Sequence, residues 1–493
     1  MGSNVSQETI DLIKTAMQTD ISKASTFSQS GNAVQGLTAY ELESPAKKIY
    51  PVLTPLRNEI PRVGNGRGIQ ANWRAITAIN PTGVRAGVSG GNRGGVIPVT
   101  VSNYSAAFAG LGLETSADFE ADFAAQGFDD VKARAVASGL EGLMIQEEYA
   151  ILGGNNSVAL GTTPTPTLAT STTGGSLAAA TYSVICVALA FDAYLNASIP
   201  FGVQGSITRT NADGSSDTFG GGAAGKSVAA SQVTTGSTST ISAFVTPVNG
   251  AVGYAWYWGV AGSELLGAIT PINSVVITAN ATGTQNASAL TGDNSQNSLI
   301  FDGLLTQAFK SGSNAYIQRM PTGIAGTGTP LTSDSAGGIV EIDACLKSMW
   351  DNWRLSPDEI WVNSQQALDI SKKVLAGSSS SAQRIVFQAD QGALAGGVMV
   401  RDYLNRFSMS GGTAIPVRVH PNMPNGTILM ITRKLPYPMS NVSNVIQMAL
   451  RRDYYQIEWP MRSRKYEYGI YMDGVLQNYA PFSMGVITNI AAG

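Results

Sequence analysis

One stretch of the 493-residue chain satisfies a phosphate-binding pattern to the letter: Gly220-Gly221-Gly222-Ala223-Ala224-Gly225-Lys226-Ser227. In a P-loop, backbone N–H groups cradle the phosphates, the lysine reaches them and the hydroxyl binds a metal ion. That chemistry needs a buried strand before the loop and, after it, a helix whose N-terminus receives the charge. Here the preceding residues, NADGSSDTF, are polar and turn-like, and the following VAASQVTTGSTST is a poor helix former. No apolar strand ending in a magnesium-binding Asp follows. A glycine-rich loop between strands is the reading that fits.

Other reactive residues are sparse. The single histidine, His420, sits beside Pro421, so a Ser-His-Asp triad or a two-histidine metal site has nothing to build on. We read it as a structural or solvated loop residue. Cys186 and Cys345 lack metal-ligand spacing and fall in segments assigned below to different domains, which fits a reducing cytosol during synthesis rather than a stapling disulfide. Glu147-Glu148 is a carboxylate pair on a predicted helix, expected at a solvated or subunit-facing edge. Arg451, Arg452, Arg462, Arg464 and Lys465 are interleaved with Asp453, Glu458 and Glu467, so ion pairing between subunits is a better use for them than DNA contact. No catalytic set, cofactor site or metal ligand set is expected.

Composition points the same way. Hydrophobic residues make up 43% of the chain, enough for a sizeable core, and charged residues only 13%, about half the usual quarter. With 55 glycines, this suits a β-rich protein whose surfaces are largely covered by neighbours. A net charge of −3 creates no general field for nucleic acid or an acidic membrane. No run of eighteen apolar residues predicts a membrane span, and the start, MGSNVSQETIDLIK, has no apolar signal-peptide core.

The elements follow from pattern. Residues 1–61 read as an arm, with a short amphipathic helix near Ile10 to Met17 and then prolines at 45, 51, 55 and 61. Such a segment has little core of its own and must lie on something else. Residues 62–112 read as a long β-hairpin, its strands near Gln70–Thr77 and Val96–Gly112 and its glycine-studded tip between Pro81 and Gly95. A two-stranded hairpin is marginal alone in water, so a neighbouring subunit is expected to cover it. Its candidate inter-subunit contacts are Arg67, Trp73, Arg74, Arg85 and Arg93. Residues 113–162 hold the best helix, 127–152, with Phe128, Val131, Ala135, Leu140, Leu143 and Met144 on one stripe. Asp129 and Asp130 suit its first turn, and Gly153-Gly154 ends it. Gly139 and Gly142 weaken it by roughly 1 kcal/mol each, so packing must hold it.

Residues 163–298 differ sharply in composition, with only seven charged residues. The β-branched and aromatic runs at 181–191, 239–248, 253–260 and 274–279 alternate with turn residues and predict a small β-sandwich. Tyr182, Tyr254 and Trp256 are its candidate aromatic core. It interrupts another domain and is read as an insertion. Residues 299–493 return to mixed α/β. A helical stripe runs through Ile339, Ile342, Leu346, Met349, Trp350 and Trp353; a strand follows at 359–363, a helix at 364–376, and strands at 415–421, 427–433 and from Val445 onward.

This α+β order, carried by GNGRGIQANWRAIT…GVIPVTVSNYSAAFAGLGLET, FDDVKARAVASGLEGLMIQEEYAILGG, FDGLLTQ and YEYGIYMDGVLQNYAPFSMGVITNI, resembles the Hong Kong 97-type major capsid proteins of tailed bacteriophages. The resemblance covers about 1–160 and 299–493. It implies an N-arm, an extended loop, a spine helix with a peripheral domain, an axial domain and returning peripheral strands. Residues 163–298 resemble an immunoglobulin-like or fibronectin-III-like domain in AATYSVICVALA and GAVGYAWYWGV; such insertions usually project outward. The implied function is an icosahedral shell of pentamers and hexamers packaging double-stranded DNA, which it touches weakly and without specificity. The implied partners are a separate scaffolding protein, a portal and decoration proteins. Assembly would occur in the bacterial host cytoplasm, with the virion capsid as destination and no membrane involved. A surface adhesin or glycan-binding protein carrying the sandwich as its module is the alternative, and an enzyme with an accessory sandwich a third reading.

Some family members cross-link covalently through a lysine on the extended loop. Residues 62–112 contain five arginines (Arg62, Arg67, Arg74, Arg85 and Arg93) and no lysine, and a guanidinium that stays protonated is not that nucleophile. Boiled particles should therefore run on a denaturing gel as one band near 51.4 kDa; a covalent ladder would contradict this.

Overall fold

The computed structural model describes residues 47–64, 66–126, 129–375, 399–409 and 411–493. The chain divides into two compact units, Met1–Lys48 and Ile49–Gly493. All elements named below belong to the second; the helix expected near Ile10 to Met17 lies outside the described residues.

The unit begins with a strap. Helix α1 (Pro55–Glu59) carries Pro at its first position, where the missing N–H is no loss. Leu56 and Ile60 are buried in the largest core cluster. Strand β1 (Arg62–Val63) then pairs in parallel with a strand almost 400 residues later. Arm residues 54–63 thus lie on the body of their own chain. Strands β2 (Gln70–Ile79) and β3 (Val99–Ala107) form the expected antiparallel ribbon, with a register shift between Ile76 and Ala78. Among the described residues they pair with no other strand. The predicted second strand is two strands in sequence, since regular pairing stops at Phe108 and β4 (Ala109–Asp118) joins a different sheet. Helix α2 (Phe119–Ala124) follows.

Helix α3 (Val131–Gly153) starts where Asp130 caps it, its carboxylate accepting from the Ala133 N–H at 3.0 Å. Its buried face runs through Gly139, Leu143, Glu147, Ala150 and Ile151. The two glycines read as weak points have a use. A Cβ on Gly139 would lie 2.5 Å from Ile470 Cδ1 and 2.6 Å from Thr115 Cγ2, and one on Gly142 would lie 3.3 Å from Leu113 Cδ1. They let the helix sit down on the sheet, and that packing outweighs their poor propensity.

Next come β5 (Thr167–Ser171), β6 (Thr181–Leu189), helix α4 (Phe191–Asn196), β7 (Ser206–Thr210), β8 (Ser216–Gly220), β9 (Ala230–Val233), β10 (Thr240–Phe244), β11 (Gly253–Gly259), β12 (Leu265–Thr270) and β13 (Ser274–Ile277). Two sheets, ordered β13-β10-β5 and β12-β11-β6-β9, enclose a core containing Tyr182, Cys186, Ile241, Tyr254, Trp256 and Ile277. The other face of β6 and β11 is also covered, by Ala193, Val203 and Leu290. Burial on both faces explains why β6 reads as an unbroken apolar run. The Trp256 indole N–H donates to Thr270 Oγ1 at 2.9 Å, satisfying the one polar atom of a buried ring.

The body resumes with helix α5 (Leu304–Phe309), β14 (Tyr316–Arg319), α6 (Val340–Trp353), β15 (Glu359–Val362), α7 (Ser364–Leu375), β16 (Asp402–Asn405), β17 (Thr413–Val419), β18 (Ile428–Ile431), β19 (Ile446–Glu458), β20 (Lys465–Asn478) and β21 (Gly485–Thr488). A six-stranded mixed sheet runs β14-β21-β18-β15-β17-β16, and a four-stranded sheet runs β1-β19-β20-β4. Ile342, Leu346 and Met349 of α6 pack on the first, and α3 covers the second.

The two-sheet module is fastened at two places. At its neck Gly303 N–H donates to Gly154 O at 2.8 Å and Asn297 N–H to Asn155 O at 2.7 Å, so the incoming and outgoing chains lie side by side. Asn273 and Asn489 form a second, buried tie: Asn273 N–H donates to Asn489 Oδ1 at 2.6 Å and Asn489 Nδ2 to Asn273 Oδ1 at 3.0 Å. A Cβ on Gly303 would lie 2.4 Å from Ala150 O and 2.7 Å from Gly154 N, backbone atoms that cannot yield. Gly303→Ala should therefore lower unfolding stability by roughly 1–3 kcal/mol, read from urea denaturation of the unassembled chain. An unchanged midpoint would show that the neck can open.

Candidate functional site

The phosphate-loop match ends in a seam of the module. Seven of the eight amides of the match already donate within the protein. Gly220 N–H goes to Gln296 O, Gly221 to Gly205 O, Gly222 to Asn294 O, Ala224 to Ala188 O, Gly225 to Gly161 O, Lys226 to Leu290 O and Ser227 to Cys186 O. The next regular element is strand β9, not a helix. Cys186 and Cys345 are unpaired and buried, and burial pushes both thiols up, which keeps them protonated and unreactive. Among the described residues no group of three or more His, Cys, Asp or Glu side chains could hold a metal ion, and no helix is long and apolar enough to cross a membrane.

The densest polar chemistry lies under the strap, and it overturns the reading of Glu147-Glu148 as an exposed edge. Their exposures are 0% and 1%. Glu148 accepts the backbone N–H of Leu56 at 3.0 Å and of Arg57 at 2.7 Å, orphan donors at the start of α1. It also accepts His420 Nε2 at 2.5 Å. Asn422 N–H donates to His420 Nδ1 at 3.1 Å, so the ring proton is on Nε2 and points at the carboxylate. The lone histidine is therefore structural and fully buried. Glu147 takes Arg62 Nη1 at 2.5 Å, the Tyr454 hydroxyl, and Arg57 at 3.5 Å. Arg62 also holds Asp453 at 2.6 Å. Burial works to raise the Asp453 carboxyl, yet the Arg62 hydrogen bond, the Tyr454 backbone N–H and the charges of Arg62 and Arg57 together outweigh it and hold that group below the usual range. Burial, then Glu147, pushes the Tyr454 phenol up, so it stays a hydrogen-bond donor.

Beside this sits a second knot. Glu59 of α1 is gripped by Arg418 and by Arg433, the latter at 2.5 Å, and the same two arginines hold Glu359 at 3.1 and 2.8 Å. The strap is thus clamped to α3, β17, β19 and the segments after β17 and β18, and through the two arginines to β15. Nothing in local periodicity announced this, because the partners of Glu147 and Glu148 lie 85 to 307 residues away. The one available signal was a pair of adjacent carboxylates inside an otherwise apolar helix end, YAILGG.

The hairpin residues behave differently, and the structure does not gather them into one cluster. Trp73 turns to its own chain: it stacks on Tyr104, centroids 5.8 Å apart, and meets Tyr479 edge-on at 5.7 Å. It helps line a cavity of about 440 Å³ at the hairpin root with Tyr104, Phe301, Gln307, Leu476 and Pro481. Arg74 is exposed and donates to Asn103 at 2.8 Å across the ribbon. Arg67, Arg85 and Arg93 are exposed along it. So are Ile76 and Ile79, at 65% and 66%, and Val96, at 89%.

No family model and no curated protein matches the sequence. Three solved structures similar to this chain are the capsid of cyanophage A-1(L) (TM-score 0.43, 10% identity, 92% of this chain and 97% of that one), the capsid of the Myoviridae phage XM1 (0.39, 10%, 94% and 100%) and an encapsulin complex from Synechococcus elongatus (0.39, 7%, 91% and 93%). All three TM-scores lie below 0.5, and these likenesses carry no argument about what this chain does.

Removing the histidine tests the strap. His420→Ala leaves the buried Glu148 carboxylate one donor short, and a hydrogen bond to a charged group contributes about 1.5–3 kcal/mol. We expect a loss of that size in urea unfolding of the purified chain, with protease sensitivity appearing first near residues 54–63. A loss below about 1 kcal/mol would mean that water substitutes for the ring.

Proposed function

We propose that this chain is a structural shell subunit, a major capsid protein of the Hong Kong 97 type from a tailed phage. One observation carries the reading. Among the described residues the ribbon β2–β3 has no third strand, and it exposes apolar side chains along its length. A two-stranded sheet of that kind is marginal in water, so another copy of the chain is its natural cover. The order of parts supports the same reading: strap, ribbon, long helix on a four-stranded sheet, a six-stranded domain, and two long returning strands.

In this reading the four-stranded sheet with α3 is the peripheral domain and the six-stranded sheet with α6 and α7 is the axial domain. The inserted module is immunoglobulin-like and projects outward. Its sheet β9-β6-β11-β12 follows the order C′-C-F-G, and β10 beside β5 follows E beside B. An A strand has no counterpart, and β13 closes the sheet beyond β10. Copies assemble as pentamers and hexamers around double-stranded DNA, with a separate scaffolding protein, a portal and decoration proteins as partners. Function is geometric, and no catalytic step is assigned to any residue. Arg67, Arg74, Arg85 and Arg93 remain our candidate contacts between subunits, and Trp73 acts by fixing the ribbon's root.

Negative-stain microscopy of the purified chain, expressed with and without its neighbouring genes, tests this. Closed icosahedral shells with surface knobs are expected. A small monodisperse species under both conditions would overturn the reading and favour a surface-binding protein built around the module.

A further inference from the structure

The cavity at the ribbon's root measures about 440 Å³, within the roughly 300–1,000 Å³ of small-molecule clefts. Three separate parts of the chain wall it. The ribbon supplies Trp73 and Tyr104, the neck of the module and the turn after α5 supply Phe301 and Lys310, and β20 supplies Leu476. No step of assembly uses this space, and no residue of the clamped strap lines it.

Part of the lining is aromatic. Trp73 and Tyr104 lie nearly parallel, at 25° with centroids 5.8 Å apart, and Tyr104 is 43% exposed. Phe301 and Leu476, both buried, add apolar surface. The Trp73 indole N–H is enclosed and has no hydrogen-bond partner. Buried donors are paired as a rule. Ring contacts alone hold this side chain, so a small turn delivers its N–H to an occupant. Another part of the lining is cationic. Among the described residues the Lys310 ammonium uses one of its N–H groups, on Asp302 at 3.2 Å, and its side chain is 54% exposed. Asp302 does not depend on that bond. It also accepts the amides of Asn156 and Ser157 at 2.9 and 3.0 Å and the Ser157 hydroxyl at 2.6 Å. Lys310 is therefore free to turn its donors to an anion in the cavity while Asp302 stays satisfied.

We propose that this cavity binds a small planar aromatic anion, an aromatic carboxylate or sulfonate, and that the occupant braces the ribbon on the body. The ring lies against Tyr104 and Trp73, where offset stacking favours a flat partner. The anionic group takes Lys310 in a charge-assisted hydrogen bond. An occupant touches ribbon, neck and β20 at once, and a ligand held only by the closed arrangement opposes opening of the ribbon's root. One chain supplies every wall, so the proposal goes beyond the shell-subunit reading and does not rest on it.

The test is titration of the full-length chain with 2-naphthoate, followed by the ligand's own fluorescence, together with hydrogen exchange of the ribbon with and without it. Saturable binding is expected, with exchange slowed in β2 and β3. Lys310→Ala should weaken binding about tenfold, and Trp73→Ala about fivefold. Lys347→Ala removes an exposed lysine of α6 outside the cavity and should leave affinity unchanged. Decanoate, an anion without a ring, should bind about fivefold more weakly than 2-naphthoate. No saturable binding, affinity unchanged by Lys310→Ala, or an equal loss in Lys347→Ala overturns the site. Equal affinity for decanoate overturns the aromatic assignment, and unaltered exchange at saturation overturns the bracing. Where Trp73→Ala loosens the ribbon by itself, seen as faster exchange without ligand, Lys310→Ala at its exposed side chain decides.

Discussion

A carboxylate taken out of water must find donors or it destabilises the protein by several kcal/mol, and α3 takes two of them inward side by side. That constraint organises the body of the molecule. Glu148 can be buried only if the first amides of α1 and the His420 imidazole reach it, and Glu147 only if Arg57, Arg62 and Tyr454 do. The partners come from the strap, from β19 and from the loop after β17. None of these segments can reach its final place independently of the others. The network therefore acts as a registry device: it specifies which surfaces meet, while apolar burial supplies most of the driving force.

Around that knot the protein is built in two contrasting manners. The body and the module bury their strands on both faces, as in β6, β15 and β18, and bring chains close through glycines such as Gly139, Gly154 and Gly303 where a methyl group would collide with backbone or core. Beyond its root, where Trp73 meets Tyr479, the ribbon leaves its faces open, and it carries only positive charge. A chain with so few charged residues overall gathers four arginines, Arg57, Arg62, Arg418 and Arg433, around the carboxylates at the strap, and leaves others exposed along the ribbon.

The module shows how an insertion can be accommodated without loosening its host. Its neck hydrogen bonds hold the incoming and outgoing chains together, and the Asn273–Asn489 pair ties its far side to the last strand region. The P-loop-like segment belongs to this economy of backbone. Its glycines make close approaches between strands, and its amides serve the module's own carbonyls.

Much of this was legible in the residues alone, because it depends on local period and composition. The 3.6-residue stripes at Val131–Gly153 and Val340–Trp353, the alternation at Gln70–Ile79 and the charge-poor aromatic runs between 163 and 298 each reflect an element that must bury one face or both. The failed phosphate loop could also be read, since its flanks lacked a strand and a helix. What sequence could not decide was which polar residues would be buried. Glu147, Glu148 and His420 look like surface or loop residues until the strap, the helix and the loop after β17 meet, because the partners that allow their burial lie 85 to 307 residues away. The split of the second hairpin strand at Phe108 was equally hidden, since both halves have strand composition and only pairing with β20 separates them. Sequence determined the elements and the segregation of charge; tertiary structure alone decided where charge is enclosed and where it is left to meet another surface.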